Sequence, residues 1–313
     1  MASSPKAIID LGTNTFHLLI ISQQDQQLNT LYKESIAVKI GKSGINQQTI
    51  APDAQERALN ALTQFRQKIN EYRVPLANVK AIGTSALRNA QNTRDFCKAV
   101  ADQTGIFIEV ISGEREAELI YEGVKQALDL GTAPSLIMDI GGGSVEFVIA
   151  NAARIFWKQS FEIGGQRLLE KFSPSDPISP STIARIHSYL QQQLLPLHNA
   201  MHQYAPCTLV GSSGTFDTLA DLDFIHRKGE LPPASATSFE ISLAEFQRQY
   251  QLLINSTRAE RVAMPGMKNL RVDLIVVSVI MIDYILKSFD IQQILCSTYS
   301  LKEGILAAWV LQK

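Results

Sequence analysis

The sequence predicts an α/β protein made of two similar halves. Each half opens with an apolar strand, a short polar turn and a second apolar strand, and the first strand of each pair ends in Asp-x-Gly. The turn region of the first hairpin is Asp10–Thr15, and that of the second is Asp139–Glu146. Strand and helix patterns alternate after both hairpins, which is typical of α/β folds. Internal duplication is the simplest explanation of the repeat.

The composition is that of a globular protein large enough for two domains. The chain has 313 residues, of which 45% are hydrophobic and 19% are charged. A net charge of −1 predicts no general attraction to DNA or to a membrane surface. Cys97, Cys207 and Cys296 are far apart in apolar surroundings, which predicts free thiols in a reducing compartment. The first residues lack the features of a signal peptide, so we expect a cytoplasmic protein.

Hydrophobic periodicity defines the elements of the first half. Apolar residues from Ala54 to Tyr72 recur at steps of three and four, which predicts an amphipathic helix. The full prediction is three strands at 7–11, 16–22 and 31–40, a helix at 53–72, a strand at 79–83, a helix at 92–103, a strand at 107–111 and a helix from 112 to about 128.

The same patterns define the second half. The apolar segment Leu274 to Leu286 is too short for a bilayer and contains Asp283, so we expect a buried core helix. After the hairpin we predict a strand at 154–160, helices at 165–172 and 179–202, a strand at 208–210 with a helix to 220, a loop at 227–237, helices at 242–254, 259–263 and 271–289, a strand at 293–297 and a helix at 301–311.

The second hairpin turn has the chemistry of a phosphate and metal site. Three glycines, Gly141 to Gly143, can adopt positive φ angles at low cost and allow a ligand to approach the backbone. Successive backbone N–H groups in such a turn can bind an anion. The carboxylates of Asp139 and Glu146 flank the turn and suit a divalent cation. Ordinary turn chemistry would explain the glycines equally well.

Four ordered motifs resemble those of a known family. They are DLGTNTFHLLI at 10–20, GTSALRNAQN at 83–92, ISGEREAELIYEGV at 111–124 and DIGGGSVEFVI at 139–149. Together they resemble the exopolyphosphatase/guanosine pentaphosphate phosphatase family (Ppx/GppA) of the actin-like ATPase superfamily. The segments GGQRL, GSSGT, MPGMKNLRVDLI and STYSLKEGIL extend the likeness over the whole chain. The sequence departs from the family at Thr15, where Ser is usual, and at Lys302, where Arg is commoner.

This resemblance implies a fold and a domain division. It implies two actin-like (ribonuclease H-like) domains with an active-site cleft between them, comprising 1–127 plus 299–313 and 128–298. Long members of the family continue into C-terminal helical domains that help to grip long polyphosphate. Because this sequence ends at Lys313, we expect a short form that acts on short chains.

The resemblance also implies roles for individual residues. It makes Glu116 the catalytic base, with Glu114 as the alternative, and places the metal at Asp139, Glu146 and Asp10. We expect Mg²⁺ there, with Mn²⁺ and K⁺ as further candidate ions. The expected phosphate-binding residues are Thr13, Asn14, Thr15, Arg88, Gly141, Gly142, Gly143, Ser144, Gly214 and Thr215.

Several other residues could have either a functional or a purely structural role. Arg167 and Arg271 are weaker anion candidates that would equally serve as salt-bridge partners. His198 and His202 lie four apart on a predicted helix, a spacing that can bind zinc, but a solvated helix face explains it as well. His17 lies on a strand and can face either the core or the ligand.

Hydrolysis of a phosphoanhydride needs neutralisation of phosphate charge and a base that orients water. We therefore expect a Mg²⁺-dependent hydrolase that releases terminal phosphate from inorganic polyphosphate. Guanosine pentaphosphate 5′-phosphohydrolase is the alternative, followed by an ATP-dependent small-molecule kinase and a non-catalytic polyphosphate or alarmone sensor. Relatives often dimerise, so a homodimer is expected, with no DNA or membrane partner.

Overall fold

The protein consists of two compact units, Met1–Arg115 and Glu116–Lys313, each with its own β-sheet. The computed structural model describes residues 4–24 and 27–310. The boundary between the units lies within a helix, α4, at Gly113–Ala127. The domain limits expected from the resemblance, 1–127 plus 299–313 and 128–298, stay a prediction.

The first unit contains a five-stranded sheet in the order β3-β2-β1-β4-β5. Its strands are β1 Lys6–Leu11, β2 Phe16–Gln24, β3 Gln27–Ile36, β4 Val79–Gly83 and β5 Ile108–Val110. The first three strands are antiparallel neighbours, whereas β4 and β5 run parallel to β1. The helix α1 Pro52–Glu71 lies between β3 and β4 in the chain. The helices α2 Ser85–Asn89 and α3 Thr93–Thr104 lie between β4 and β5.

The second unit contains a six-stranded sheet in the order β10-β11-β9-β6-β7-β8. Its strands are β6 Ser135–Ile140, β7 Val145–Ala150, β8 Ile155–Phe161, β9 Thr208–Ser212, β10 Ser238–Ile241 and β11 Gln293–Ser297. The strands β6 and β7 are buried on both faces, which explains their continuous apolar runs.

Helices of the second unit cover this sheet and enclose its hydrophobic core. They are α5 Gly165–Phe172, α6 Pro180–Gln193, α7 Leu195–Tyr204, α8 Ser213–Lys228, α9 Leu243–Asn255, α10 Arg258–Ala263, α11 Ile275–Ser288 and α12 Leu301–Val310. The helix α11 is buried throughout Ile275–Ile285, as its sequence predicts. No helix in the described part of the chain is long and apolar enough to cross a membrane.

The predicted duplication agrees with the hairpins in detail. Asp10 lies opposite His17 across β1 and β2, and Asp139 lies opposite Glu146 across β6 and β7. In both turns, a Cβ added to the Asp-x-Gly glycine would lie about 3 Å from the carbonyl oxygen of the residue three positions later. The two turns therefore require glycine at the same place for the same steric reason.

Several elements differ from the sequence-based predictions. The predicted helix 179–202 is two helices, because Pro196 cannot donate a backbone hydrogen bond and begins a new helix instead. The strand predicted at 31–40 ends at Ile36, and α8 extends beyond 220 to Lys228. The short edge strand β10 carries little apolar signal and was not predicted. The cysteines are free, as expected, although Cys207 is exposed rather than in apolar surroundings.

Candidate active site

The chemistry-bearing loops of the second unit meet at one edge of its sheet. The strands β6, β9 and β11 are parallel neighbours, with Met138 opposite Gly211 and Gly211 opposite Cys296. Their carboxyl ends therefore lie side by side. The glycine turn follows β6, and the loop before α12 follows β11. The GSSGT segment, residues 211–215, comprises the end of β9 and the start of α8.

Two carboxylates face each other at this edge. Asp139 and Glu146 are directly opposite in the β6–β7 register, so their side chains lie on the same face of the sheet. They are 5% and 1% exposed, respectively. Ser160 on β8 donates its hydroxyl hydrogen to Glu146 Oε1 at 2.7 Å. Two buried carboxylates thus lie on one face of the sheet, and a hydroxyl group orients one of them.

Hydroxyl groups hold the Asp139 carboxylate in place. Its Oδ2 accepts hydrogen bonds from Ser212 Oγ at 2.6 Å and from Ser300 Oγ at 2.5 Å. Burial raises the pKa of Asp139, while hydrogen bonds from Ser212, Ser300 and Ser213 and the charge of Arg271 oppose this rise. Ser213 has a φ of 74°, a strained value for a residue with a side chain. The backbone is therefore strained directly beside this carboxylate.

The glycine turn is held by the start of α5. Three backbone N–H groups donate to its carbonyls: Gly164 to Gly143 at 3.2 Å, Gly165 to Gly141 at 3.0 Å and Gln166 to Gly142 at 2.8 Å. None of the turn glycines is among the positive-φ residues of the described chain, so the low cost of positive φ does not explain why glycine occurs in this turn. Close packing instead requires glycine at position 164, just before α5, because a Cβ there would lie 2.5 Å from the Gly142 carbonyl.

Glu116 and Glu114 differ sharply in burial. Both lie in the first turns of α4, but Glu116 is 7% exposed whereas Glu114 is exposed. A carboxylate serving only as a helix-dipole partner has no need to leave solvent. Burial therefore favours Glu116 over Glu114 as the chemically active residue.

The guanidinium of an arginine packs against the GSSGT segment. A Cβ added to Gly214 would overlap the guanidinium of Arg271, so residue 214 must be glycine for this arginine to pack there. Burial lowers the pKa of Arg271, and the charges of Asp217 and Asp139 raise it. Thr215, the next residue of α8, is buried. Arg271 thus lies in the electrostatic field of Asp139, which makes it a stronger site candidate than its sequence position suggested.

In the first unit, the turn after β1 is buried and braced from one side. Thr13, Asn14 and Thr15 are each less than a tenth exposed. Lys39 N–H donates to Asn14 O at 2.8 Å, and Gly41 N–H donates to Thr13 O at 3.1 Å. The segment after β3 thus supports this turn as the segment after β8 supports the glycine turn. The side-chain amide of Asn14 is buried, and neither its oxygen nor its nitrogen has a hydrogen-bond partner within the described residues.

The strand β4 brings Arg88 to the same edge of the first sheet as this turn. Leu11 lies opposite Gly83 in the parallel β1–β4 pair, so the helix α2 starts beside the turn. Arg88, on α2, is half-buried and donates from Nη1 to Ile111 O at 3.3 Å. Asp10 is half-buried at the end of β1. His17, opposite Asp10, bonds through Nδ1 with Ser35 Oγ at 2.7 Å.

The chemistry of Asp139 and Glu146 can be compared with the ligands that Mg²⁺ commonly has in proteins. Over residues 4–24 and 27–310, no three His, Cys, Asp or Glu side chains are grouped closely enough to hold a metal ion alone. Mg²⁺ commonly binds through one or two carboxylates, with water and phosphate oxygens as its other ligands. Asp139 and Glu146 match the carboxylate part of that set of ligands. The described residues offer no third grouped His, Cys, Asp or Glu side chain that would let the protein hold a metal ion alone.

The remaining candidates have structural contacts. Arg167 donates from Nε to Gly143 O at 2.8 Å and from Nη2 to Glu162 Oε2 at 2.8 Å, so it supports the glycine turn. His198 Nε2 bonds with Tyr284 OH at 2.7 Å, and its ring packs 4.8 Å from that of Phe289. These aromatic contacts explain His198 without zinc.

Sequence reasoning missed Ser212 and Ser300 as partners of Asp139, and Asp217 as a neighbour of Arg271. Both serines lie in motifs that were identified, but Ser212 is 73 residues and Ser300 161 residues away from Asp139 along the chain. Spacing alone carries no signal over such distances. Knowledge of the parallel order of β6, β9 and β11 would have indicated these contacts, because that order brings together the residues at the ends of these strands.

Comparisons with known proteins agree with this arrangement. The sequence matches the model of the Ppx/GppA phosphatase family over residues 19–313. An exopolyphosphatase from Cytophaga hutchinsonii is 44% identical with a TM-score of 0.94, and the match covers 97% of each chain. The Aquifex aeolicus member of the Ppx/GppA protein family is 24% identical with a TM-score of 0.79, over 99% of this chain and 98% of that one, and shares the fold.

The fold is accordingly the two-domain actin-like fold of this family, with one sheet in each unit. The family match spans both the carboxylate pair and the helix that carries Glu116. The chain therefore belongs to the Ppx/GppA phosphatase family and is a phosphoanhydride hydrolase of the exopolyphosphatase type.

Proposed function

We propose that this protein releases terminal phosphate from inorganic polyphosphate in a Mg²⁺-dependent reaction, with short chains as preferred substrates. The observation that carries the proposal is the buried pair Asp139 and Glu146, which face each other beside a glycine turn. The Cytophaga hutchinsonii protein of similar sequence is an exopolyphosphatase, which supports the same substrate class here. A net charge of −1 gives no general attraction for a long polyanion, which supports short chains.

Asp139 and Glu146 would hold the metal, with Asp10 as a third candidate. A bound Mg²⁺ would neutralise phosphate charge as the phosphoryl group is transferred. Ser212, Ser300 and Ser160 orient the two carboxylates before substrate arrives. Such preorganisation lowers the cost of arranging charge during the reaction.

Glu116 is proposed as the base that orients the attacking water. Its burial on α4 reduces competition from solvent for the carboxylate. A base of this kind accepts a proton from water as the water attacks the terminal phosphorus. In the second unit, the N–H groups of the glycine turn would donate hydrogen bonds to phosphate oxygens. In the first unit, Asn14 Nδ2 and the Arg88 guanidinium are the proposed phosphate-binding groups.

The packing of Arg271 supports inorganic polyphosphate over nucleotide substrates. The GSSGT segment resembles the part of the superfamily's site that lies on the nucleoside side, and here the guanidinium of Arg271 lies against Gly214. A cation at that place favours phosphate and leaves less space for a nucleoside. Guanosine pentaphosphate stays the alternative substrate, because its terminal phosphates would use the same residues. An ATP-dependent kinase is less well supported, because ATP also carries a nucleoside for which Arg271 leaves less space.

The proposal is tested by phosphate release from tripolyphosphate, long polyphosphate, guanosine pentaphosphate and ATP, each with Mg²⁺. We expect the highest kcat/KM on tripolyphosphate. We expect Glu116→Gln to reduce kcat about 100- to 10,000-fold, since it removes the base and keeps the shape. The matched control is Glu114→Gln on the same helix, which should retain near wild-type activity because Glu114 is exposed.

Each outcome has a distinct meaning. Release of phosphate from none of the four substrates by the wild-type protein would refute the hydrolysis proposal. A preference for guanosine pentaphosphate would replace the proposed substrate with the alternative. Full activity in Glu116→Gln would refute only the assignment of the base, and ATP turnover that requires an added alcohol would favour the kinase.

A further inference from the structure

The loop before the last helix brings a serine to Asp139. Ser300 immediately precedes α12, and its Oγ donates to Asp139 Oδ2 at 2.5 Å. A serine at a helix start ordinarily turns its hydroxyl toward the backbone N–H groups of the first turn. Here the hydroxyl donates to a buried carboxylate on another element. Together with Ser212, which donates to the same oxygen, it fixes the rotation of the Asp139 carboxylate.

Local hydrogen bonds hold the backbone around Ser300. Its N–H donates to Glu303 Oε2 at 3.0 Å, and Ser297 Oγ donates to Tyr299 O at 2.7 Å. Thr298 N–H donates to Thr237 O at 2.9 Å, so the loop is also tied to a neighbouring segment. A donor on a rigid support can hold a functional group more accurately than one on a mobile loop.

The same serine touches the helix that carries Glu116. A Cβ on Gly123 would overlap the carbonyl oxygen of Ser300, and a Cβ on Gly304 would overlap that of Leu119. The helices α4 and α12 thus meet backbone to backbone, which only glycine permits at these two positions. Gly123 lies seven residues after Glu116, about two helical turns, so both residues are on the same face of α4.

We propose that Ser300 is a positioning residue that sets the Asp139 carboxylate for the metal and fixes it relative to the helix of Glu116. This inference rests on the proposed function, because it takes Asp139 as a ligand of Mg²⁺. The residue acts through Asp139 by its hydroxyl and on α4 by its carbonyl. Groups that orient metal ligands commonly change metal affinity 10- to 100-fold when they are removed.

The test is calorimetric titration of Mg²⁺ into the intact protein without substrate, with kcat and KM for tripolyphosphate measured in parallel. We expect Ser300→Ala to weaken Mg²⁺ binding about 10-fold or more. Ser300→Thr keeps the hydroxyl and should restore most of the affinity. The matched control is Thr298→Ala, because the Thr298 hydroxyl donates at 3.2 Å to Thr237 O. It should leave Mg²⁺ affinity unchanged.

Gly123→Ala provides an independent variant, since it displaces the Ser300 carbonyl without removing the hydroxyl. We expect it to weaken Mg²⁺ binding and to reduce kcat. Unchanged Mg²⁺ affinity in Ser300→Ala, with only a lower melting temperature, would overturn the proposal, because a merely structural role predicts that result. If the wild-type protein bound Mg²⁺ but released no phosphate, the proposed function would be refuted. The titration would still show whether Ser300 affects Mg²⁺ binding.

Discussion

At the residue scale, the amide of Asn14 is buried without a hydrogen-bond partner among the described residues. An unsatisfied buried polar group costs about 1–3 kcal/mol, so a folded protein keeps one only where another need outweighs stability. Asn14 lies in the turn after β1, between two threonines that are also buried. Binding of a phosphate oxygen to Nδ2 would satisfy the amide and explain its burial.

This explanation predicts opposite effects of Asn14→Ala on stability and on catalysis. The variant should melt no lower than the wild-type protein in the absence of substrate, because no hydrogen bond is lost. Its kcat/KM should fall about 10- to 100-fold, the value of one hydrogen bond to a charged group. Thermal unfolding and steady-state kinetics measure the two quantities.

Asn89→Ala is the comparison for stability. The Asn89 side chain donates from Nδ2 to Ser85 O at 2.9 Å, so this variant should melt lower than the wild-type protein. A clear loss of stability in Asn14→Ala, with unchanged kinetics, would show that the amide has a structural partner and no substrate role.

At the element scale, the glycine turn and α5 form one hydrogen-bonded unit. The turn carbonyls accept from the N–H groups at the start of α5, so those N–H groups already have partners. A helix N-terminus with its N–H groups engaged is a poor anion site. In the proposed site, phosphate contacts would therefore come from the turn, and the hydrogen bonds from α5 hold the turn in shape.

Two adjacent glycines test this dependence. A Cβ on Gly164 would lie 2.5 Å from the backbone of Gly142 and Gly143, whereas one on Gly165 would make an ordinary contact at 3.5 Å with Ser278 Oγ. We expect Gly164→Ala to destabilise the protein by about 1–3 kcal/mol, as overpacking does, and to reduce activity. Gly165→Ala should be neutral in both chemical denaturation and activity assays. Equal effects of the two substitutions would contradict the account of the turn.

The helices α6 and α11 contain a buried polar contact outside the proposed site. His187 Nε2 lies 3.6 Å from Asp283 Oδ2, and Asp283 is fully buried. Burial lowers the pKa of His187, and the nearby Asp283 carboxylate only partly opposes this shift. Lys287, which pairs with Asp283 at 2.8 Å, adds to the lowering. The folded protein therefore favours neutral His187.

The lowered pKa of His187 should make the folded protein less stable as the pH falls. Because the pKa of His187 is lower in the folded state, the unfolded state binds more protons as the pH falls through about 6.5. Stability should decrease from pH 7.5 to pH 5, and His187→Gln should flatten this part of the curve. His202→Gln, on the exposed part of α7, serves as the control. Melting temperatures across this pH range provide the measurement, and an identical slope in wild type and His187→Gln would contradict the assignment.

At the scale of the whole molecule, the two sheets repeat one plan with different chemistry. The residue opposite the hairpin aspartate is His17 in the first unit and Glu146 in the second. Each bonds to a serine on the next strand at 2.7 Å, Ser35 and Ser160 respectively. One copy of the hairpin thus presents an imidazole where the other presents a carboxylate. This difference matches the proposed roles, because only the second hairpin supplies a facing pair of carboxylates for a metal.

The parts of this plan that the sequence predicts are local. Both hairpins, the amphipathic helix α1 and the buried helix α11 follow from periodicity and turn residues. The hydroxyls on Asp139 could not be predicted, because the order of strands in the sheet brings them together. The conformation of the glycine turn was also unpredictable, since it depends on α5, which begins after a further strand. The homodimer and the cytoplasmic location stay predictions.

The central claim is that water, oriented by Glu116, attacks the terminal phosphorus of polyphosphate. Hydrolysis of tripolyphosphate in ¹⁸O-labelled water with Mg²⁺, followed by ³¹P NMR, tests it most directly. Attack at the terminal phosphorus breaks its bond to the bridging oxygen and places one ¹⁸O in each released phosphate. We predict that result, with the rate greatly reduced in Glu116→Gln. Label in the shortened chain instead of in the released phosphate would contradict the account.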